Sequence, residues 1–276
     1  MTAQLPPLPE YDAPPVSEVA LSVEFLPLAN WRSAHAGRYW SEISNEYPET
    51  EEFPPLPSQI EKFGAEFQEL QTDQQRVRLI DPGVTRSWFI GRPPTRLIQV
   101  QRDRFIINWR KLADRDVYPR YEGDMRQRLE RDWTRFKNFI ESNGLGPTEV
   151  RQCEVVYVNT LLQGEGWSRF DEALELFSCL TGRGSDGFLP APENLNISGT
   201  FSMPDERGRL HFSIQRIIRR TDSKEGVQLQ LSARVRPDSS ADADMLSSMD
   251  LGREWVVRAF TDLTTPKAHT LWKRTR

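Results

Sequence analysis

Twice along the chain, short segments whose apolar residues alternate at period two run into a long stretch whose apolar residues recur at helical spacing. The first cycle opens with Val19, Leu21, Val23 and Phe25 set between Ala20, Ser22 and Glu24, the alternation of a strand with one buried face. It closes with Met125, Leu129, Trp133, Phe136 and Ile140, an amphipathic helical stripe stopped by Asn143-Gly144 and Gly146-Pro147. The second cycle opens on a strand at 153–162. It closes on the helical set Leu246, Met249, Arg253, Val256, Phe260 and Leu263. Within the first cycle the pattern predicts helices over 31–43 and around Ile60, Phe63, Phe67 and Leu70, the latter with Ser58 as N-cap. Strands follow at 76–80, 87–90, 96–101 and 104–110, parted by Asp81-Pro82-Gly83, Gly91-Arg92-Pro93-Pro94 and Arg102-Asp103. Within the second, Phe170, Leu174, Phe177 and Leu180 predict a short helix, and strands follow at 194–202, 209–218 and 227–235.

Each half therefore reads strand, helix, three or four strands, long helix. The expected class is α+β: a duplicated strand–helix–antiparallel strands–helix unit, with helices packed on one side of a curved sheet. By analogy of element order alone this is TATA-binding-protein-like or helix-grip-like, and such an analogy carries no function. The halves share no letter-by-letter identity. Expected boundaries are 1–15 for a flexible arm, 16–146 for the first half and 147–276 for the second, the two halves forming one unit. The arm carries Pro6, Pro7, Pro9, Pro14 and Pro15, which exclude helix.

Hydrophobic residues make up 37% of the 276, with eight tryptophans and fourteen phenylalanines, enough to bury a sizeable core and to exclude a disordered chain. The N-terminal stretch has neither a basic residue nor an apolar run, and no segment approaches membrane-spanning length. Cys153 and Cys179 fit no metal or redox spacing, and a pair so sparse suits a reducing compartment. These features predict a cytoplasmic protein with no membrane contact.

Charge is uneven. Residues 1–75 hold 13 acidic and 3 basic side chains, whereas residues 92–137 hold 13 basic and 7 acidic ones. The basic strip is either neutralised internally or left open to an anionic partner.

Catalytic signatures are missing. Gly182, Gly184 and Gly187 match G-x-G-x-x-G, but a helix precedes them and Phe188-Leu189-Pro190 follows, the reverse of a dinucleotide-binding turn. His35, His211 and His269 are dispersed, which gives neither a metal nor a cofactor site. His211 alternates with Phe212 and reads as a half-buried structural residue. Asp250 and Glu254 share a helix face and would serve acid–base chemistry, yet Arg253 and Arg258 stand ready to pair with them. With His269 and Trp272 they form a second, weaker set of candidates.

The stronger set lies in 99–121. On the strand 104–110, Phe105, Ile107 and Trp109 point one way, and Arg104, Ile106, Asn108 and Arg110 the other. Gln99, Gln101 and Arg102 sit on or beside the neighbouring strand, and Tyr118, Arg120 and Tyr121 continue the chemistry. A face bearing Gln, Arg and Asn beside exposed aromatic rings suits a polar or anionic ligand.

Several short blocks carry a likeness. They are Pro14-Pro15-Val16-Ser17-Glu18-Val19, the run from Leu97 through Gln99-Val100-Gln101-Arg102-Asp103-Arg104-Phe105, Asn108-Trp109-Arg110, Tyr118-Pro119-Arg120-Tyr121 and Tyr157-Val158-Asn159. Asp250-Leu251-Gly252-Arg253, Phe260-Thr261-Asp262-Leu263-Thr264, His269 and Trp272 follow them. In that order they resemble a sporadically distributed family of functionally uncharacterised prokaryotic proteins of similar length. The resemblance implies a single architecture and a patchy distribution of the kind seen in mobile or defence-associated genes. It implies no activity. The expected function is a non-enzymatic binding protein with a protein partner, an accessory or neutralising component of such a system. The alternative is nucleic-acid or nucleotide binding through 99–121.

Overall fold

The structure, a computed structural model, describes residues 6–63, 85–180, 188, 190, 192–219 and 222–276. Alternation at the start of each half becomes β1 (Val16–Phe25) and β6 (Val150–Leu162). In the first half β1 is followed by α1 (Ser33–Ile43), β2 (Glu49–Phe53), β3 (Arg86–Ile90), β4 (Arg96–Gln101), β5 (Arg104–Arg110) and α2 (Arg126–Ser142). In the second, β6 is followed by α3 (Phe170–Leu174), β7 (Asn196–Ser202), β8 (Gly208–Ile218), β9 (Glu225–Val235), α4 (Asp242–Asp262) and α5 (Pro266–Leu271). A π-helical turn, Tyr121–Met125, leads into α2.

The nine strands among the described residues lie in one antiparallel sheet, in the order β2-β3-β4-β5-β1-β6-β9-β8-β7. Each half's first strand pairs with its own last strand and with the first strand of the other half. Leu21 of β1 thus stands opposite Ile107 of β5 on one side and Val155 of β6 on the other. The two halves form one continuous sheet.

Period two sorts the side chains. Val19, Leu21, Val23, Phe105, Ile107, Val155, Leu229 and Leu231 face the helices and are almost fully buried. There α2 sets Phe136 against Phe105 with ring centroids 5.0 Å apart, and α1 adds Tyr39 at 5.3 Å. On the other half α4 approaches the sheet closely at Gly252, where a side-chain Cβ would lie 3.0 Å from Val155. Asp242 and Asp244 in the first turn of α4 complement the helix dipole, and Pro266 opens α5 at the first helical position.

Three features depart from the pattern. The edge strand β2 was masked by its composition, Glu-Thr-Glu-Glu-Phe next to prolines. Charge on an exposed edge is how a sheet avoids further pairing, and it hides the strand from hydrophobic periodicity. No helix begins at Ser58: residues 54–63 form no helix or strand, and Leu56, Pro57, Ser58, Gln59 and Glu61 contact the sheet face opposite α1, α2 and α4. Pro54, Pro55 and Pro57 remove backbone donors there, and two glutamines from the sheet take up what remains. Gln101 accepts from Leu56 N (3.0 Å) and donates to Leu56 O (3.1 Å). Gln152 accepts from Glu61 N (2.9 Å) and donates to Gln59 O (3.2 Å). Phe67, Leu70, the strand expected at 76–80 and the glycines 182, 184 and 187 lie outside the described residues.

The N-terminal segment, expected as a flexible arm, is docked from Pro6 onward. Asp12 N donates to Lys273 O (3.1 Å), Ala13 N to Trp272 O (3.2 Å), and Thr275 N to Glu10 O (2.9 Å). Tyr11 anchors it, 5% exposed, edge-on to Phe260 at 5.3 Å. A single large aromatic among prolines supplies the apolar area that a polyproline arm lacks.

Candidate functional site

The sheet face opposite α1, α2 and α4 carries no helix among the described residues, and it is polar and largely sealed. Four strands contribute one continuous chain of hydrogen bonds. Arg86 on β3 donates to Gln99 on β4 (3.0 Å), Gln99 to Asn108 on β5 (2.8 Å), and Asn108 to the Glu18 carboxylate on β1 (2.7 Å). A second row follows. Arg104 pairs with Glu24, which also accepts from Ser58. Arg234 bridges Glu154 (2.8 Å) and Glu61 (3.2 Å), and Glu61 also takes Arg209 and His211, each at 2.6 Å. Between the rows lies a cleft of about 220 Å³, lined by Glu18, Gln99, Arg104, Asn108, Glu154 and Gln230 among others.

Environment separates these carboxyls. Burial raises Glu18 above the ordinary range, tempered by the Asn108 hydrogen bond and the charge of Arg110. Burial likewise raises Glu24, against the pull of Arg104. Burial would also raise Glu61, but the hydrogen bonds from His211 and Arg209 and the charges of His211 and Arg234 outweigh it and hold Glu61 at about 2.

The sheet splits the strip 99–121 between its two faces. Gln99, Gln101, Arg104 and Asn108 lie on the polar face and are at most 5% exposed. Arg110 shares that face and stacks over Trp88 at 5.1 Å. Arg102, in the β4–β5 turn, donates to Leu28 O (3.2 Å). Phe105 and Trp109 are not exposed rings beside this polar row. They point into the core under the helices, because strand parity that puts Asn108 on one face must put Trp109 on the other.

Tyr118, Arg120 and Tyr121 belong to the helix face, where they line a cavity of about 320 Å³ with Arg253 and the segment Pro9–Pro14. Tyr121 donates to Asp250 (2.8 Å), which also pairs with Arg126 (2.8 Å). Arg253 pairs with Glu122 (2.8 Å), Glu254 with Arg258 (2.8 Å), and His269 contacts Thr264 Oγ1 (3.0 Å) and Thr261 O (3.2 Å). Trp272 packs on Phe260 at 5.0 Å. Asp250, Glu254 and His269 thus serve separate partners and do not line the cavity. Among the described residues no group of three or more His, Cys, Asp and Glu side chains is placed to hold a metal, and no helix is long and apolar enough to cross a membrane.

Periodicity missed Glu18, Glu24, Glu61, Arg86, Glu154 and Arg234. For all but Glu61, which lies outside the strands, the signal was available as a charged residue within an apolar strand, a costly placement unless each charge finds a partner.

No family model, curated protein or solved structure matches the chain.

The low value of Glu61 has a measurable consequence. A carboxyl depressed in the folded state stabilises the fold above its unfolded value of 4.5, and that contribution is lost as pH falls toward about 2. Stability measured by urea unfolding is therefore expected to fall across this window, and Glu61→Gln is expected to flatten that part of the profile. Parallel profiles for the two proteins would contradict the arrangement around Glu61.

Proposed function

We propose that this chain is a non-enzymatic binding protein that presents the sheet face opposite α1, α2 and α4, with its cleft between the central strands, to a protein partner. The carrying observation is the hydrogen-bonded row from Arg86 to Glu18. Its polar groups are fixed on rigid strands and hydrogen-bonded in sequence, which holds the walls of the cleft in place, although Arg86 Nε is buried without a partner among the described residues. An enzyme would instead gather a nucleophile, a base and its orienting group, and Asp250, Glu254 and His269 are engaged apart.

We favour a protein partner over nucleic acid because most arginines of this face, Arg104, Arg209 and Arg234, are neutralised by Glu24, Glu61 and Glu154, while Arg86 and Arg110 are held against the Trp88 ring. Counterion release from phosphates needs unpaired cations. We further infer that the mirrored strand order, with β1 and β6 at the centre, reflects duplication of one unit into a saddle-like sheet. Two free cysteines accord with action in the cytoplasm, and the family resemblance accords with an accessory or neutralising role in a mobile or defence-associated system.

The test is purification of tagged protein from its native host, with and without nuclease, beside Gln230→Lys, which sets a charge on the exposed rim of the cleft. The expected result is a stoichiometric protein partner lost from a variant of unchanged melting temperature. Co-purifying nucleic acid released by salt, or a partner indifferent to Gln230→Lys, would overturn the reading.

A further inference from the structure

The helix-face cavity lies where the two halves meet, and elements from both build it. Tyr157 and Asn159 come from β6, Arg253 and Val256 from α4, Tyr118 and Arg120 from the segment between β5 and α2. The docked segment closes it with Pro9, Tyr11 and Pro14. At about 320 Å³ it reaches the lower end of the range for small-molecule sites.

Its polar atoms are short of acceptors. Tyr118 and Tyr157 place their hydroxyls 2.6 Å apart, and both side chains are largely buried. Two phenols carry two hydroxyl hydrogens, and one contact between them consumes one. The other has no acceptor among the described residues. Arg253 is partly served: it pairs with Glu122 and donates to the Tyr157 hydroxyl, while its Nε is buried with no partner among the described residues. A buried donor without an acceptor is destabilising unless something else fills the place.

The backbone gives an independent sign. Arg120, at φ 71° and ψ 154°, occupies a region that only glycine adopts freely. Its guanidinium is held to Tyr11 O at 3.0 Å, at the cavity's edge. Strain of this kind persists where the surroundings enforce it, and it concentrates at ligand clamps. Val16, Leu231, Val256, Val257 and Phe260 supply apolar wall, beside the polar Asn159 and Thr275. Of the acidic residues at the rim, Glu10 pairs with Arg276 (2.5 Å) and Glu122 with Arg253, while Asp12 stays in solvent.

We propose that this cavity is a binding site for a small carboxylate with an apolar body, its oxygens held by the Tyr118–Tyr157 phenol pair and Arg253. A carboxylate is planar and accepts at two oxygens, which matches one phenolic hydrogen and one guanidinium N–H. The apolar body fills the space against Leu231, Val256 and Phe260. Arg120 adds positive charge at the entrance, next to the docked segment. The site lies on the opposite face of the sheet from the partner surface, so the two readings stand or fall separately.

Isothermal titration calorimetry of the full chain tests it, with phenylacetate, isovalerate and octanoate as carboxylate probes and benzylamine and inorganic phosphate as controls. The expected result is saturable binding of at least one carboxylate at one equivalent, with neither control competing. The double variant Tyr118→Phe with Tyr157→Phe keeps the ring volume and removes both hydroxyls, and is expected to weaken that binding about tenfold or more. Val257→Trp, which fills the cavity without touching the polar groups, is expected to abolish it. No saturable binding by any of the three carboxylates, equal binding by benzylamine or phosphate, or affinity unchanged in both variants would overturn the proposal.

Discussion

Replacing Phe136 by alanine is expected to destabilise the protein by about 3–5 kcal/mol, the range for emptying a fully buried aromatic position. Phe136 is 0% exposed and sits at the centre of the first half's core. Its ring meets Phe105 at 5.0 Å, Tyr39 at 5.3 Å, Phe25 and Trp133 at 6.0 Å, and Trp31 at 6.1 Å. These neighbours belong to β5, α1, β1 and α2, with Trp31 just ahead of α1, so the void opens between separate elements. Large rings held by strand and helix backbones cannot collapse into it. Phe136→Leu keeps most of the volume and is expected to lose clearly less. The check is the urea midpoint, read at an unchanged denaturant slope so that the shift reports stability alone. A loss under about 1 kcal/mol for the alanine variant would mean that this core is not packed as described.

The same rings explain why so much of the fold was legible. Helical spacing from Met125 to Ile140 and the alternation of β1, β4, β5, β8 and β9 are direct images of burial on one face, and burial dominates what a sequence must encode. What stayed hidden is contact over long sequence separation. That β1 and β6 pair and join the halves is a property of the register Leu21–Val155, and no local pattern carries it. The stretch from Ser58 was read by the spacing of Ile60, Phe63, Phe67 and Leu70, but the path of 54–63 is set by Gln101 and Gln152, residues about 45 and 90 positions away.

The site shows the same limit more sharply. Parity gave the polar face correctly for Arg104, Asn108 and Gln99, because period two needs only neighbours. It could not show that these groups are sealed, since the carboxylates that meet them come from β1 and β6. Nor could it show that Tyr118 and Arg120, a few residues further on, pass to the other side of the sheet. Adjacency in sequence suggested one strip where the chain divides these residues between the two faces of the sheet.

Arg104→Met is expected to cost about 3–5 kcal/mol at neutral pH, the penalty for stranding one member of a buried ion pair. The side chains of Arg104 and Glu24 are each 6% exposed, and Arg104 also donates to Pro57 O (3.3 Å), so its loss frees part of the segment that crosses the polar face. The effect has a definite pH signature. Burial already raises Glu24, and Arg104 is the main force opposing it. Without Arg104 the folded-state value rises further above the unfolded one. A carboxyl raised by folding supports the native state while it is protonated and penalises it as pH climbs through the folded value. The gap between variant and native protein is therefore expected to be largest near neutrality and to narrow in mild acid. Adding Glu24→Gln to Arg104→Met removes the stranded charge and is expected to recover most of the loss, because the cost lies in the unpaired charge more than in the missing pair. A double-mutant cycle by urea unfolding measures that coupling. If the double variant is as unstable as the two single losses added together, the two side chains do not act on each other, and the polar face is held by something other than its paired charges.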